Sequence, residues 1–522
     1  MLLIFPPLAK ACEPPAGIAR IAGFLRGNNQ NCSLWDANLE GQLYLLSATQ
    51  SPADTWSKRA CKNIQANLEA LRNPALYENS ARYERAVRDV NRVLAQSCNK
   101  TGINISLADF QDAELSPHQS ADLLLAAKEY KRNIFFPFYQ KHLPTLLDDY
   151  SEEWIGISLN YLSQALPAFA LTGYLKKKYP LLNIVIGGGL ITSWLRSPGW
   201  TNPFMNLFDE MIAGQGELPL LEVLTKNKTP DPIYHSPDYT DLPLDEYMAS
   251  GLILPYSAST GCYWNRCSFC PEKAEGNPYS KLSSNRCMED LRNLVDRFNP
   301  ILIHLLDNAV APSLMRRIIQ EPLGSNWYGF ARVTPDLSDP AFCEDLKKSG
   351  CVMLKLGIES GSQKILDAMD KGIDLELVEK ALTALYQAGI ATYVYLLFGT
   401  PSESITEARQ TLEFTVRNAK AITYLNLAVF NLPRNSAETD SLMLKDFSSG
   451  DLGLYFDFHH PKGWDRKAVR HFLATEFKTD PEIRPILQRD PPFFTSNHAP
   501  LLLTLFRKKG SSLDKCLIKK FL

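Results

Sequence analysis

Short apolar runs alternate with amphipathic stretches along most of the chain, and they form two series. In the first series, five apolar runs predict buried strands, at residues 2–5, 33–36, 154–158, 183–186 and 211–213. Helical periodicity over residues 18–26 and 164–179 predicts helices between them. Strands that alternate with helices favour a parallel, doubly wound α/β sheet, which binds ligands at the carboxyl ends of its strands. We therefore predict a Rossmann-like (flavodoxin-like) domain over residues 1–225.

This domain is interrupted between its second and third strands. The connection of about 110 residues is far longer than a normal loop. Helical periodicity at 55–72, 80–97 and 120–130 predicts a helical insert over about 45–150. Either the insert caps a cofactor or lines a substrate channel, or it only packs against the domain.

A second series follows a linker, residues 226–253, that is rich in proline and acidic residues. Six apolar runs predict six strands, at residues 254–259, 301–306, 327–332, 352–357, 392–398 and 423–430. Amphipathic helices separate them, for example at 288–298 and 375–387. Six βα units are fewer than the eight of a closed TIM barrel. We predict a partial (β/α)6 barrel over 254–435 and a small C-terminal extension over 436–522.

Composition narrows the possible partners. With 45% hydrophobic and 21% charged residues and a net charge of −2, the chain is typical of a globular protein and gives no reason to expect a nucleic acid partner. No apolar run reaches the ~18–20 residues of a membrane helix. The apolar start before Pro6-Pro7 lacks a basic lead-in, so it predicts a strand and not a signal peptide. Eleven mostly scattered cysteines suit a reducing, cytoplasmic location.

Three cysteines form the one tight group, directly after the first strand of the second series. Cys262, Cys267 and Cys270 can hold a [4Fe–4S] cluster by three corners and leave the fourth iron open to a small molecule. A closed zinc site needs a fourth ligand, and the next cysteine, Cys287, is seventeen residues further on. A zinc knuckle or plain buried thiols remain the alternatives.

This loop resembles the cluster loop of the radical S-adenosylmethionine (SAM) enzymes. The match includes the two-residue gap between Cys267 and Cys270 and the aromatic Phe269; the first gap has four residues where the family usually has three. The resemblance implies an open six-unit barrel whose strand ends bind SAM. The matching SAM-binding residues are Phe269 in the loop and, at the strand ends, Asp307, Asn308, Arg332, Glu359, Ser360 and Gly399. Arg332 either pairs with a carboxylate or forms a rim ion pair. Glu359 either binds SAM or pairs with Lys355 or another rim cation.

The first domain resembles the cobalamin (B12)-binding domain that often precedes such barrels. Ser158 and Asn160 precede Gly187, Gly188 and Gly189 by the spacing of that fold. The resemblance extends to a phrase that includes Gly214, Gly216 and Glu217. The Asp-x-His-x-x-Gly signature is absent, and no histidine lies in the first hundred residues. A cobalamin site without a histidine ligand is therefore implied; a Rossmann-like domain that binds a nucleotide or nothing is the alternative.

Together these resemblances imply a cobalamin-dependent radical SAM enzyme. The expected reaction is methylation of an unactivated carbon through a 5′-deoxyadenosyl radical, on a small-molecule or peptide substrate, with electrons from a donor such as flavodoxin or ferredoxin. Cyclisation, ring contraction or oxidation, with cobalamin in another role or absent, is the alternative, and a methylthiotransferase is less favoured. The sequence does not assign a catalytic residue.

Overall fold

The computed structural model describes residues 1–48, 54–98, 102–148, 153–226, 233–445 and 450–507. Parts of the predicted linker (227–232) and of the C-terminal extension (446–449 and 508–522) lie outside these ranges. The chain divides into two compact units. The first comprises essentially residues 1–251 with the short segment 450–454, and the second comprises essentially 252–445 with 455–507.

The first unit is built on a five-stranded parallel sheet. We number its strands β1 to β5: Leu2–Ile4, Ser33–Trp35, Trp154–Ser158, Asn183–Gly187 and Glu210–Met211. Their order is β2-β1-β3-β4-β5, which is the flavodoxin-like order. The predicted Rossmann-like fold is confirmed. In this order the neighbours β1 and β3 bring their carboxyl ends to one edge.

Helices flank this sheet and fill its long insert. The α-helices are Ala16–Gly27, Ala37–Ser47, Thr55–Lys62, Ile64–Leu71, Ser80–Gln96, Ser120–Lys128, Phe136–Asp148, Leu162–Lys178, Gly189–Leu195 and Glu217–Thr225. Two short 3₁₀ helices lie at Pro74–Glu78 and Tyr130–Arg132.

The region between β2 and β3 differs from the prediction in three ways. The helix expected at 55–72 is two helices that break at Asn63. The helix Ala37–Ser47, which Asp36 caps through hydrogen bonds to the amides of Asn38 and Leu39, is not in the prediction. The insert is not purely helical, because Ile103–Ile105 and Phe110–Asp112 form an antiparallel hairpin.

The described part of the predicted linker is fastened to the first unit. Arg26 pairs with Asp238 at 2.7 Å, and the Tyr247 hydroxyl donates to Asp36 at 2.7 Å. Hydrogen bonds across long sequence separations hold residues 233–251 against the first helix and strand ends. This segment therefore behaves as part of the packed unit.

The second unit is built on a six-stranded, all-parallel sheet. Its strands, β6 to β11, are Ile253–Tyr256, Leu302–Leu305, Asn326–Ala331, Cys351–Glu359, Ala391–Phe398 and Tyr424–Val429. They are hydrogen-bonded in sequence order from β6 to β11, so the sheet is open and each strand neighbours the next. The six predicted βα units are confirmed, with a first strand that starts one residue earlier, at Ile253.

Helices lie between these strands and after the last of them. The α-helices are Pro271–Ala274, Ser284–Phe298, Pro312–Gln320, Pro340–Lys348, Gln363–Ala368, Leu375–Gln387, Ile405–Arg417, Arg466–Phe472, Arg484–Leu487 and Thr495–Arg507. Shorter elements are the 3₁₀ helices Pro335–Ser338 and Ala437–Asp440, the π-helical turn Leu473–Phe477, and the strand pair Leu432–Pro433 with Tyr455–Phe456. Parallel strands place their carboxyl ends at one edge, where β/α barrels carry their active sites.

Candidate functional site

The cysteine loop leaves the carboxyl end of β6 as a closed loop. Ser259–Thr260 pairs antiparallel with Ser280–Lys281, which fastens both ends of the loop. Between them, Gly261 has a φ of +69°, and a Cβ there would lie 2.6 Å from the carbonyl oxygen of Pro278. Glycine is therefore required where the loop turns away from the strand.

The three thiols of the loop are half-buried and influence one another. Burial raises the pKa of Cys267 and of Cys270, and each is raised further by a neighbouring cysteine of the group. The cations of Lys371 and Arg332 oppose the rise in the pKa of Cys267. Three thiols on one loop, with two cations that favour thiolate, suit three corners of an iron–sulfur cluster.

Two further observations concern metal ligation. Cys287 is buried in the helix after the loop, and burial raises its pKa to about 11. Within the described ranges, no three His, Cys, Asp or Glu side chains are arranged to hold a metal ion as they stand.

The first strand-end group, after β7, supports the loop. Asp307 is buried and accepts hydrogen bonds from the Ala258 amide at 3.1 Å and from the Ser259 hydroxyl. Burial raises the pKa of Asp307, and the Ser259 hydrogen bond opposes that rise. Asn308 donates to the carbonyl oxygen of Gly261 at 3.2 Å. Both residues thus hold the start of the cysteine loop, and their predicted contacts with SAM stay predictions.

At the end of β8, Arg332 points toward the cysteine loop. Its guanidinium carbon lies 3.8 Å from the centre of the Trp264 ring, and it donates to the carbonyl oxygens of Gly372, at 2.7 Å, and Lys371. Among the described residues, Arg332 thus contacts carbonyl oxygens and a ring, and its predicted contact with SAM stays a prediction. Burial lowers the pKa of Arg332, and the nearby thiol of Cys267 opposes this.

The end of β9 carries a buried ion pair. Glu359 follows a break in the strand register, has a φ of +70°, and accepts from the Lys371 ammonium at 2.8 Å. The two side chains are only 12% and 10% exposed. Lys371 also lies 5.5 Å from the centre of the Phe269 ring, inside the cysteine loop. The rim cation of Glu359 is therefore Lys371, and this ion pair links the strand end to the loop.

Two neighbouring residues are engaged within the fold. Lys355, the cation first considered for Glu359, lies 2.8 Å from the His304 ring nitrogen. Ser360 is fully buried; its hydroxyl lies 3.1 Å from that of Thr411 and accepts from the Ser362 amide. This position fixes the turn after β9.

The turn after β10 depends on a carboxyl group absent from the sequence prediction. Gly399 has a φ of +83°, and its amide donates to Glu403. Glu403 is fully buried, accepts from the Trp464 indole at 2.9 Å, and its other carboxyl oxygen has no hydrogen-bond partner among the described residues. Burial raises the pKa of Glu403 to about 7. The sequence contains an indication of this contact, because the acidic Glu403 lies four residues after the turn glycine Gly399.

In the first unit, the predicted residues after β3 and β4 meet. The Asn160 side chain donates to the Ser158 hydroxyl at 3.0 Å and accepts from the Gly189 amide at 3.0 Å. Gly188 has a φ of +109°, and a Cβ there would lie 2.4 Å from the carbonyl oxygen of Leu159. Only glycine allows the two strand ends to approach this closely.

The remaining predicted residues lie around this pair of turns. The Gly187 carbonyl accepts from the Leu159 amide at 2.8 Å, and the Gly214 amide donates to the Thr192 hydroxyl at 2.8 Å. Gly216 precedes the helix Glu217–Thr225, whose first residue forms an ion pair with Arg20. A Cβ on Gly17 would meet nothing closer than the Ser158 hydroxyl, at 3.8 Å. The polar and glycine residues here suit the tail of a cofactor lying along the strand ends.

Comparison with known proteins identifies the second unit. Residues 256–415 match the profile of the Radical SAM superfamily. The chain carries a radical SAM domain. Such a domain is that of an enzyme, and it implies a [4Fe–4S] cluster and SAM as cofactors.

The relatives cover the chain only in part. An uncharacterized methyltransferase of Pyrococcus horikoshii is 26% identical over 269 residues, which are 44% of this chain and 57% of that protein. An anaerobic magnesium-protoporphyrin IX monomethyl ester cyclase of Rubrivivax gelatinosus is 26% identical over 197 residues, 35% of this chain and 34% of that one. The chain thus spans about half or less of these relatives.

A solved structure is similar over about two thirds of the chain. The cobalamin-dependent SAM radical enzyme OxsB, solved with aqua-cobalamin bound, superposes with a TM-score of 0.52 at 15% identity, over 68% of this chain and 64% of that one. This likeness supports the fold: a Rossmann-like domain followed by a radical SAM barrel. In the part of the chain that is described, no helix is long and apolar enough to cross a membrane.

Proposed function

We propose that the protein is a cobalamin-dependent radical SAM methyltransferase that acts on an unactivated carbon of a small-molecule or peptide substrate. The observation that carries the proposal is the position of Cys262, Cys267 and Cys270. They lie on a closed loop at the carboxyl edge of an open, six-stranded parallel sheet. When bound, the cluster and SAM supply a 5′-deoxyadenosyl radical, and cobalamin supplies the methyl group.

The barrel residues have separate proposed roles. The three cysteines bind three irons as thiolates, and Arg332 and Lys371 favour the thiolate of Cys267. Glu359 binds the ammonium or ribose of SAM, and Asp307 and Asn308 hold the start of the cysteine loop at the end of a different strand. Phe269, Ser360 and the Gly399 turn shape the rest of the pocket. A carboxylate such as that of Glu359 suits the binding of SAM, because hydrogen bonds assisted by charge are about twice as strong as neutral ones.

The first unit is proposed to bind cobalamin without a histidine ligand. The Ser158–Asn160 turn and the Gly187–Gly189 turn would receive the tail of the cofactor, with Gly214, Gly216 and Glu217 at the next strand end. Their mutual hydrogen bonds orient the turns before any ligand binds, which limits the ordering cost of binding.

We expect an electron donor such as flavodoxin or ferredoxin, which would supply the low-potential electron that a bound cluster needs. The described cysteines form no disulfide, which supports a reducing, cytoplasmic location.

A second candidate function is cyclisation, with cobalamin in a role other than methyl transfer. The specific observation in its favour is the similarity to the Rubrivivax gelatinosus cyclase. The fold of this chain does not decide between the two candidates, so the reaction product must distinguish them.

The test is anaerobic reconstitution of the full chain with iron, sulfide and hydroxocobalamin. We expect about four irons per chain, formation of 5′-deoxyadenosine from SAM, and a bound corrin whose Co(II) electron paramagnetic resonance (EPR) spectrum lacks coupling to a histidine nitrogen. The variant with all three loop cysteines changed to alanine should lose the iron and the SAM cleavage but keep the corrin. Full iron in that variant would refute the cluster assignment, and failure to bind corrin would refute the methyltransferase proposal.

A further inference from the structure

The extra residue in the first cysteine gap has a defined place in the structure. The gap holds Tyr263, Trp264, Asn265 and Arg266, and Asn265 is exposed with a left-handed φ of +43°. Asparagine tolerates this conformation far better than most residues. The loop therefore reverses at Asn265, and Trp264 and Arg266 are directed toward one neighbouring segment.

That segment is residues 369–372, the turn that follows the helix Gln363–Ala368. The Trp264 indole donates to the Asp370 carbonyl oxygen at 3.0 Å, and Arg266 pairs with the Asp370 carboxylate through two contacts, at 3.1 and 3.2 Å. The Ser268 amide donates to the Met369 carbonyl oxygen at 2.9 Å. Three of the five residues in the loop segment 264–268 therefore bind the turn directly.

The Trp264 ring is also the centre of a cation stack. The guanidinium carbons of Arg332 and Arg266 lie 3.8 and 5.1 Å from its centre. A Cβ at Gly372 would lie 2.1 Å from the Trp264 ring, so the turn can approach only because residue 372 is glycine. Arg332 binds the same turn through the Gly372 carbonyl at 2.7 Å. Trp264 therefore fills a fitted position between the loop, the turn and the end of β8.

The turn carries Lys371, and this gives the contact a consequence for the site. Lys371 pairs with Glu359 at 2.8 Å and lies over Phe269, between two of the cysteines. A displacement of the turn would therefore move the Glu359 ion pair relative to the cysteine loop. Partners in the second shell of metal ligands commonly control the ligands in this way.

We propose that Trp264 is a positioning residue: with the reversal at Asn265, it clamps the cysteine loop to the 369–372 turn and sets the distance between the cluster and the Glu359 end of the SAM pocket. The four-residue gap between Cys262 and Cys267 then contributes to the geometry of the site. The inference rests on the proposed function, because it takes the loop to be the cluster site.

Two matched pairs of variants test the clamp in the full chain. Trp264→Ala removes the ring stack and the indole hydrogen bond, whereas Trp264→Phe keeps a ring. Asn265→Val places a β-branched residue at a left-handed φ, whereas Asn265→Gly keeps the backbone conformation accessible. Each protein is reconstituted anaerobically; iron loss to a chelator and the change that SAM causes in the EPR spectrum of the reduced cluster are then measured.

We expect Trp264→Ala and Asn265→Val to hold iron about ten- to a hundredfold less tightly than the wild type, and to lose most of the SAM-induced EPR change. Trp264→Phe should retain most of both properties, and Asn265→Gly should match the wild type. A merely structural role would lower the thermal midpoint and leave the EPR response of the remaining clusters unchanged; that outcome overturns the inference. If Trp264→Ala cannot be purified, the Asn265 pair decides by the same two readouts.

Failure of the inference can be told apart from failure of the proposed function. A wild-type protein that builds no cluster refutes the proposed function. A wild-type protein that builds a cluster and responds to SAM, with a Trp264→Ala variant that does the same, refutes only the clamp.

Discussion

The carboxyl edges of the two parallel sheets are built from different kinds of residue. At the edge of the radical SAM domain, a buried carboxyl group follows or ends three of the strands: Asp307, Glu359 and Glu403. Each is bonded to another part of its own unit. In the first unit, the edge between β3 and β4 instead uses the neutral residues Ser158, Asn160 and Gly188, with turns that approach each other closely.

This difference separates two ways of preparing a cofactor site. A buried carboxylate is costly unless it is paired, so it acquires protein partners, and a ligand must share or displace them. A glycine edge needs no such exchange, because it offers backbone groups and space. We therefore expect substitutions in the first unit to act through sterics, and substitutions at the barrel edge to act through charge.

The largest expected effect is that of Gly188→Ala. The φ of +109° and the 2.4 Å approach to the Leu159 carbonyl leave no room for a Cβ. Strain of this kind costs about 1–3 kcal/mol, and the clash adds to it, so cobalamin binding should be lost. Titration with hydroxocobalamin measures the loss, and iron content should remain that of the wild type.

Gly199→Ala is the control for this prediction. Gly199 also has a positive φ, of +71°, but a Cβ there would meet no atom within 4 Å. It should cost only about 1–2 kcal/mol and keep cobalamin binding. Equal behaviour of the two variants would contradict the steric account of the glycine edge.

The second-largest expected effect is a dependence of stability on pH, which arises from the carboxyl group of Glu403. Its pKa is about 7 in the folded protein and 4.5 as the ordinary value, because burial disfavours the charged form. The folded state therefore binds the Glu403 proton more tightly than the unfolded state does. The stability that this proton contributes is complete below pH 4.5 and is lost as the pH rises through about 7. This rise in the pKa of Glu403 corresponds to about 3 kcal/mol in the free energy of unfolding.

Glu403→Gln should flatten this dependence, since an amide cannot ionise. Thermal unfolding of the radical SAM unit followed at about pH 5 and about pH 8 should show a smaller difference in midpoint for the variant. Glu407→Gln is the matched control, because its pKa is lowered to about 2 and it stays ionised over that range. An unchanged pH dependence in Glu403→Gln would show that the carboxyl is not the titrating group.

The same contrast explains how much the sequence could predict. Parallel strands that are buried on both faces are apolar runs with glycine or polar residues at their ends, so the flavodoxin-like sheet, the six barrel strands and the cysteine loop followed from local patterns. Long-range partners leave no such pattern. Trp264 and Asp370 are 106 residues apart, and the choice of Lys371 over Lys355 for Glu359 depends on the turn that carries Lys371.

Missed elements have local causes as well. The helix after β2 follows a capping aspartate, Asp36, and so had a signal in the sequence. The break at Asn63 lies within a continuous helical pattern, and the hairpin at 103–112 is too short for periodicity to indicate. Local patterns predicted which strand ends carry the sites, but packing decided how their side chains are paired.

The smallest expected effect, and the sharpest test of the charged edge, is that of Glu359→Gln. The amide keeps the size of the side chain and removes the negative charge that pairs with Lys371. If SAM also uses this carboxylate, its binding should weaken by about 1.5–3 kcal/mol, which is roughly ten- to a hundredfold in the dissociation constant. Anaerobic SAM titration of protein with a full cluster measures the change.

The ion pair itself supplies the control, through Lys371→Met and the double variant. If Glu359 only holds Lys371, each single variant breaks the same contact, so the double variant should bind SAM no worse than either single one and Glu359→Gln should act no differently from Lys371→Met. If Glu359 also contacts SAM, Glu359→Gln should weaken SAM more than Lys371→Met does, and the double variant should follow Glu359→Gln. Unchanged SAM affinity in Glu359→Gln would assign this carboxylate to structure alone and would leave Asp307 as the acid to test next at the barrel edge.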